Sequence, residues 1–191
     1  GAALEAFSTY DNRTFVRPQI SNQGTMVYRD DSDRIVLERG GGPEALTIAA
    51  AGRLPGISAT DERVAWVQLG DPETVHLGYD IGGAYRDLML ASTEDGFDDI
   101  DEDDRVGVTH LPSTCSNGAS IVVFVGIRDG VEGVHAGVVS HDDAGTPFLS
   151  SLAPIVEVGD TVDGSAVQSV ALFDPISANG TVVVRTASNA L

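Results

Sequence analysis

The side chains able to do chemistry in this chain are mostly carboxylates. One run concentrates them: Glu94-Asp95-Gly96-Phe97-Asp98-Asp99-Ile100-Asp101-Glu102-Asp103-Asp104. Asp99, Asp101 and Asp103 alternate as the first ligands of a calcium loop do. Such a loop needs glycine at its sixth position and glutamate at its twelfth, and this chain has Asp104 and His110 there. The run reads either as a cation site of another geometry, with calcium as its ion, or as a solvated acidic turn between strands.

The other reactive groups are scattered. His76, His110, His135 and His141 show neither helical ligand spacing nor a cysteine pattern to complete a zinc set. Ser140-His141-Asp142 is contiguous, which says nothing about a catalytic triad in space. Cys115, the single cysteine, lies in a Ser/Asn/Gly-rich turn with no base nearby in sequence, and reads as a free thiol. No phosphate loop, nucleophile elbow or dinucleotide fingerprint occurs. Trp66 and Tyr79 sit on adjacent candidate strands and form either core or a sugar-stacking face. Carboxylate pairs for glycoside hydrolysis leave no short signature, so a hydrolase stays open. No catalytic residue and no organic cofactor is nominated.

Two Asn-x-Thr sequons, at Asn12 and Asn179, mark candidate glycosylation sites and point to the cell exterior. Gly1-Ala2-Ala3 fits residues left after signal cleavage as well as a cloning remnant. The net charge is −18, from 29 acidic residues against 11 basic ones. All basic residues are Arg, and Asp outnumbers Glu by 20 to 9. This surface repels phosphate backbones and anionic lipid heads, which argues against nucleic acid and membrane partners. The Asp-rich, Lys-free composition resembles halophilic archaeal proteins; a GC-rich genome that replaces Lys with Arg yields the same text. Hydrophobic content of 42% is enough for a core, and the longest apolar run, Ile121 to Val125, is strand-sized. With one cysteine, that core forms without an internal disulfide.

The elements that must carry these residues are strands. The dominant hydrophobic period is two, broken by Gly, Asp, Asn and Pro. Strands are expected at Thr25–Arg29, Arg34–Glu38, Ala45–Ala49, Arg63–Leu69, Thr74–Tyr79, Arg86–Ala91, Arg105–Leu111, Ser120–Ile127, Gly133–Ser140, Pro154–Val158, Gln168–Leu172 and Gly180–Thr186. Arg86–Ala91 is the best helical candidate and is too short for an amphipathic helix.

Internal repetition is the strongest signal. Ile20-Ser21-Asn22-Gln23-Gly24-Thr25-Met26-Val27-Tyr28-Arg29 parallels Ile176-Ser177-Ala178-Asn179-Gly180-Thr181-Val182-Val183-Val184-Arg185. Weaker copies start at Ile57 and Ile100, and a competing register places one near Cys115-Ser116-Asn117-Gly118 or Val139. One domain over 1–191 is expected, with units starting near 20, 57, 100 and 176. Antiparallel units of about 40 residues match a β-propeller blade, with a β-sandwich or β-solenoid as the alternative. Self-association by β-strand pairing is open if Thr181–Thr186 finds no partner in its own chain.

Residues 155–187 carry Val156-Glu157-Val158-Gly159-Asp160-Thr161-Val162-Asp163-Gly164, then Ile176-Ser177-Ala178-Asn179-Gly180-Thr181-Val182-Val183-Val184-Arg185. This resembles the V-x-x-G-D-x-x-D-G … I/L-N-D-x-G-x-V-A-F-R-A repeats of secreted bacterial or archaeal surface proteins of the PEP-CTERM or choice-of-anchor type. Ser21, Ser58, Asp101 and Ser177 replace that pattern's Asn. The resemblance implies a non-catalytic extracellular or cell-surface β-repeat module, structural or adhesive. A carbohydrate- or calcium-binding module facing surface glycans is the alternative. It adds no catalytic residue.

The charge makes one outcome testable. Self-repulsion is screened as the Debye length falls from about 30 Å at 0.01 M salt to about 3 Å at 1 M. The melting temperature of the purified chain should therefore rise from low to molar NaCl, and a flat or falling curve would remove the halophilic reading.

Overall fold

The computed structural model describes residues 18–40, 45–81, 84–101, 106–111, 118–174 and 176–187. Asn12, Asp103 and Cys115 lie outside them. Every regular element among the described residues is a strand. No helix there is long and apolar enough to cross a membrane.

The chain lays down antiparallel meanders in sequence order. The first sheet contains β1 (Gln19–Ile20), β2 (Met26–Arg29), β3 (Ile35–Glu38) and β4 (Ala45–Ala49). The second contains β5 (Gly52–Ile57), β6 (Val64–Gln68), β7 (Thr74–Ile81) and β8 (Ala84–Ser92). In the third, β9 (Asp99–Ile100) and β10 (Gly107–Leu111) both pair with β11 (Ala119–Arg128), and β12 (Val131–His141) and β13 (Pro147–Glu157) follow. A small hairpin of β14 (Thr161–Val162) and β15 (Ser165–Ala166) leads to the last sheet, β16 (Ser169–Asp174) with β17 (Val183–Ala187).

Each sheet packs on the next. β2 lies on β5, β5 and β6 on β10, and β11 and β12 on β16. Three apolar layers result. Val27, Ile35 and Leu37 meet Ile57, Val64 and Trp66. Ala65, Val67, Val75 and Leu77 meet Val108, Val122, Phe124 and Val139. Val123, Val125 and Val134 meet Val170, Leu172, Val182 and Val184. Arg86–Ala91, expected as a strand and also the best helical candidate, is strand: it forms part of β8, paired antiparallel with β7.

Five strands, β1, β5, β9, β14 and β15, and the first half of β13 lie outside the ranges expected from the sequence. β5 reads Gly-Arg-Leu-Pro-Gly-Ile, with no alternation. Its glycines answer a steric demand from both sides. A Cβ at Gly52 would sit 2.5 Å from Ile35 Cγ1 of the first sheet, and one at Gly56 would strike the Val106 carbonyl oxygen of the third. The first half of β13 and the pair β14–β15 are largely exposed, so no buried face imposes a pattern on them.

The connections use two turn chemistries. Asp129-Gly130 and Asp163-Gly164 have both residues at positive φ, as two-residue hairpins require. The second chemistry recurs after β1 and after β16. Ser21 N–H donates to the Thr25 carbonyl at 2.9 Å, and Gly24 N–H donates to the Ser21 carbonyl at 3.0 Å. The same pair of bonds, at 2.9 and 3.0 Å, joins Ser177, Thr181 and Gly180. Ser21 Oγ and Ser177 Oγ accept from the Thr25 and Thr181 N–H groups at 3.2 and 3.0 Å. Gly24 and Gly180 adopt φ of 80° and 83°. Ile20, Ile57 and Ile176 each end or follow the strand before such a turn, and Glu62 (φ 58°) closes the longer one after Ile57. Ile100, at the unit start expected near 100, sits in β9 on the edge of β11, and Leu111 ends β10. Gly118, just before β11, has φ 61°.

Gly24→Val and Gly180→Val should each lower stability by about 1 kcal/mol or more in denaturant titration, since a β-branched residue is strained at positive φ.

Candidate functional site

The densest polar chemistry surrounds the 58–63 turn between β5 and β6, where the first three sheets meet. Toward the first sheet, Ala59 O accepts from Asn22 N–H at 2.9 Å and Thr60 O accepts from Gln23 Nε2 at 3.0 Å. Glu62 accepts from Thr25 Oγ1 and, at 2.8 Å, from Arg39 Nε, while Arg39 also reaches Asp80 at 3.2 Å. Burial alone would raise the Glu62 carboxyl, but the bonds from Thr25 and Arg39 hold it below the ordinary value.

Toward the third sheet, Arg63 is the bridge. Its Nε pairs with Asp61 Oδ2 at 2.9 Å, and its Nη1 reaches Ser120 Oγ and, at 2.6 Å, His110 Nδ1. A guanidinium only donates, so His110 Nδ1 accepts and the ring is neutral with its proton on Nε2. Burial, and then the Arg63 charge, keep its pKa below the usual imidazole value.

Ser120, His110 and Asp61 bring together the three residue types of a hydrolytic triad, but not its wiring. Ser120 Oγ and Asp61 Oδ2 both approach Nδ1 of the ring, at 3.5 and 3.6 Å. A relay needs the nucleophile on one nitrogen and the carboxylate on the other. The cluster is a staple between sheets.

The relay order does occur on the second sheet. Asp87 Oδ2 lies 2.8 Å from His76 Nδ1, and His76 Nε2 lies 2.8 Å from Thr74 Oγ1. Thr74 and His76 stand on one face of β7, and a bulge between Val75 and His76 brings Asp87 of β8 into reach. Trp66 stacks on the imidazole at 5.3 Å. Nucleophilic catalysis would also need an open approach to Thr74 and convergent N–H donors for an oxyanion. Thr74 is only 8% exposed, and the ladders Gln68↔Thr74 and Thr74↔Ser92 engage its backbone on both sides. The arrangement satisfies a buried threonine and a half-buried histidine, with Asp87 on the exposed side.

The residues singled out in the sequence do not converge. Asp99 is an exposed member of β9, Asp101 N–H donates to Val125 O at 3.1 Å, and Asp103 lies outside the described residues. Among the described residues no three Asp, Glu, His or Cys side chains gather as a metal set. Asn179 is exposed, and its Oδ1 accepts from Thr181 N–H at 3.3 Å and Thr181 Oγ1 at 3.0 Å. Asp142, of the contiguous trio, caps its own turn by accepting from Ala144 and Thr146 N–H at 2.9 and 2.7 Å. Trp66 is core at 2% exposure rather than a sugar platform. His135 is fully buried, 4.9 Å edge-on to Phe97, with Nε2 donating to Gly126 O at 3.3 Å and burial lowering its pKa. Sequence reasoning missed Arg63, whose partners His110 and Ser120 lie on strands distant in sequence, and the Thr74–His76–Asp87 set, whose closing contact depends on the register of the β7–β8 hairpin.

No family model matches the chain, and no curated protein matches it.

Two outcomes follow. Arg63→Leu should cost about 2–3 kcal/mol, since it removes the cation of half-buried Asp61 and the donor to His110 and Ser120. His110 and His135 both have folded pKa values below the unfolded value of 6.5. Above that value both states are neutral. As pH falls below it, the unfolded chain takes protons that the folded chain refuses. Stability should therefore fall from about pH 6.5 downward, until the folded values are passed, and His110→Gln should flatten part of that slope.

Proposed function

We propose that this chain is a non-catalytic extracellular β-repeat module with a structural or adhesive role, its meanders being successive propeller-type blades. One observation carries the reading. On the strand after each recurrent turn, alternate residues face opposite neighbours in a fixed parity. Val64 and Trp66 of β6 face the sheet before, and Ala65 and Val67 face the sheet after. On β11, Val122 and Phe124 face back, while Val123 and Val125 face forward. On β2, Val27 faces forward, and on β17 Val184 faces back. A single unit, reused, accounts for this better than unrelated sheets do. The resemblance of residues 155–187 to secreted surface repeats supports the same reading, as do the acidic surface and the exposed Asn179 sequon. The polar clusters fit it as well: each is consumed in holding strands or sheets together.

The test sets this against hydrolysis. The full chain should be retained on immobilised cell-envelope polysaccharide in salt and should convert no ester, amide or glycoside substrate. Thr74→Val should cost about 1–2 kcal/mol, since it leaves a histidine nitrogen unpaired, and should change nothing else. Turnover that disappears in Thr74→Val while the fold is kept would overturn the reading.

A further inference from the structure

One ionisable side chain is fully enclosed and takes part in neither polar cluster. His135 of β12 is 0% exposed. Its ring lies between Phe124, stacked at 5.6 Å, and Phe97, edge-on at 4.9 Å. Nε2 donates to Gly126 O at 3.3 Å, while Nδ1 is buried and meets no hydrogen-bond partner among the described residues. Phe97 comes from the acidic segment 94–101, which lies along the edge of β11. Gly126 makes room for it, since a Cβ there would sit 3.1 Å from Phe97 Cδ1. The segment is held by short means. β9 is two residues long, and Phe97 and Ile100 are the buried side chains. Asp98 and Asp101 N–H donate to Ile127 and Val125 O at 2.8 and 3.1 Å.

We propose that His135 is a proton-driven release for this segment: proton uptake frees Phe97 and β9 from the edge of β11 while the stacked sheets stay folded. The neutral ring fits because Nε2 carries its one proton toward a carbonyl and Nδ1 stays bare. A second proton goes on Nδ1, where it has no acceptor, and sets a charge between two phenyl rings. Glu157 of β13 favours that charge. Arg128 of β11, whose guanidinium already lies 5.7 Å over the Phe97 ring, opposes it. Burial outweighs Glu157 and holds the ring below the usual imidazole value. The other carboxylates around the segment are engaged elsewhere or exposed. Asp98 accepts from Gly130 N–H at 2.7 Å, Glu73, before β7, accepts from Ile100 N–H at 3.4 Å, and Asp99 is exposed. Of the elements around the ring, the segment is the one able to leave locally: β12 is paired along both edges, whereas β9 is a two-residue edge strand. Its departure carries off Phe97, so water reaches Nδ1. The open form then binds a proton that the closed form refuses, and opening is favoured by up to about tenfold for each pH unit below 6.5.

Amide hydrogen exchange of the full chain, followed by NMR from neutral to mildly acid pH and corrected for the intrinsic rate, decides it. Protection of the Asp98 and Asp101 amides should fall by about tenfold from about pH 6.5 to about pH 5, and should stay below that of the β6 and β12 amides throughout. His135→Gln keeps a donor for Gly126 O and cannot titrate, so the segment should lose its pH dependence. His110→Gln, which removes the other histidine of lowered pKa, should leave the response unchanged. Phe97→Ala leaves the histidine in place and serves where His135→Gln does not fold. It should speed exchange of the segment at neutral pH and move the His135 ring titration up toward 6.5. Protection indifferent to pH, an equal fall in His135→Gln, a response lost in His110→Gln, exchange of the segment only together with β6 and β12, or a ring titration unmoved by Phe97→Ala would overturn the proposal. The release and the module reading stand or fall separately, because these readouts do not touch adhesion or turnover.

Discussion

Two-sided burial is the constraint on which the molecule depends. A strand covered on both faces, as β6 and the middle of β11 are, must be apolar at both parities. Val64-Ala65-Trp66-Val67 and Val122-Val123-Phe124-Val125 meet that demand, and all eight are nearly or fully inaccessible. Burying one such side chain stabilises by about 1.5–3 kcal/mol, whereas an exposed ion pair contributes about 0–1 kcal/mol. Stability therefore rests on the three apolar layers, despite the abundance of charge. The same constraint explains β5, whose glycines let the first and third sheets approach where a side chain would hold them apart.

With the sheet faces given to packing, polar chemistry collects at strand ends and turns. The 58–63 turn is the clearest case: Glu62 ties it back to Thr25 and Arg39, and Asp61 with Arg63 ties it forward to His110 and Ser120. Three sheets are keyed to one short segment. Hydrogen bonds of this kind contribute modestly when made and cost more when broken, so they fix the stacking order more than they add stability. The Thr74–His76–Asp87 set obeys the same logic. Its connectivity is that of a catalytic relay, but its hydroxyl sits on a nearly buried threonine engaged by strands on both sides.

Carboxylates serve turns as well as surface: Asp30 and Asp142 accept from backbone N–H groups of their own turns, while the interior is carried mainly by valine, leucine and isoleucine.

The sequence by itself determined the secondary structure, because period-two alternation and left-handed turn residues are local properties of short segments. Ile20 to Arg29 and Ile176 to Arg185 announced one unit twice, and Gly24 and Gly180 have the backbone their spacing required. Strands without a buried face or without side chains, such as the start of β13 and β5, left no such mark. The 100–108 segment shared an isoleucine and an acidic stretch with the unit, and only strand pairing placed it on the edge of β11. The tertiary structure alone decided which residues meet. Arg63 reaches His110 and Ser120, and Asp87 reaches His76, across separations that no local pattern encodes. It also decided that Val27 is covered and Val183 is not. Similar local text cannot carry that difference, because burial depends on what packs against the strand.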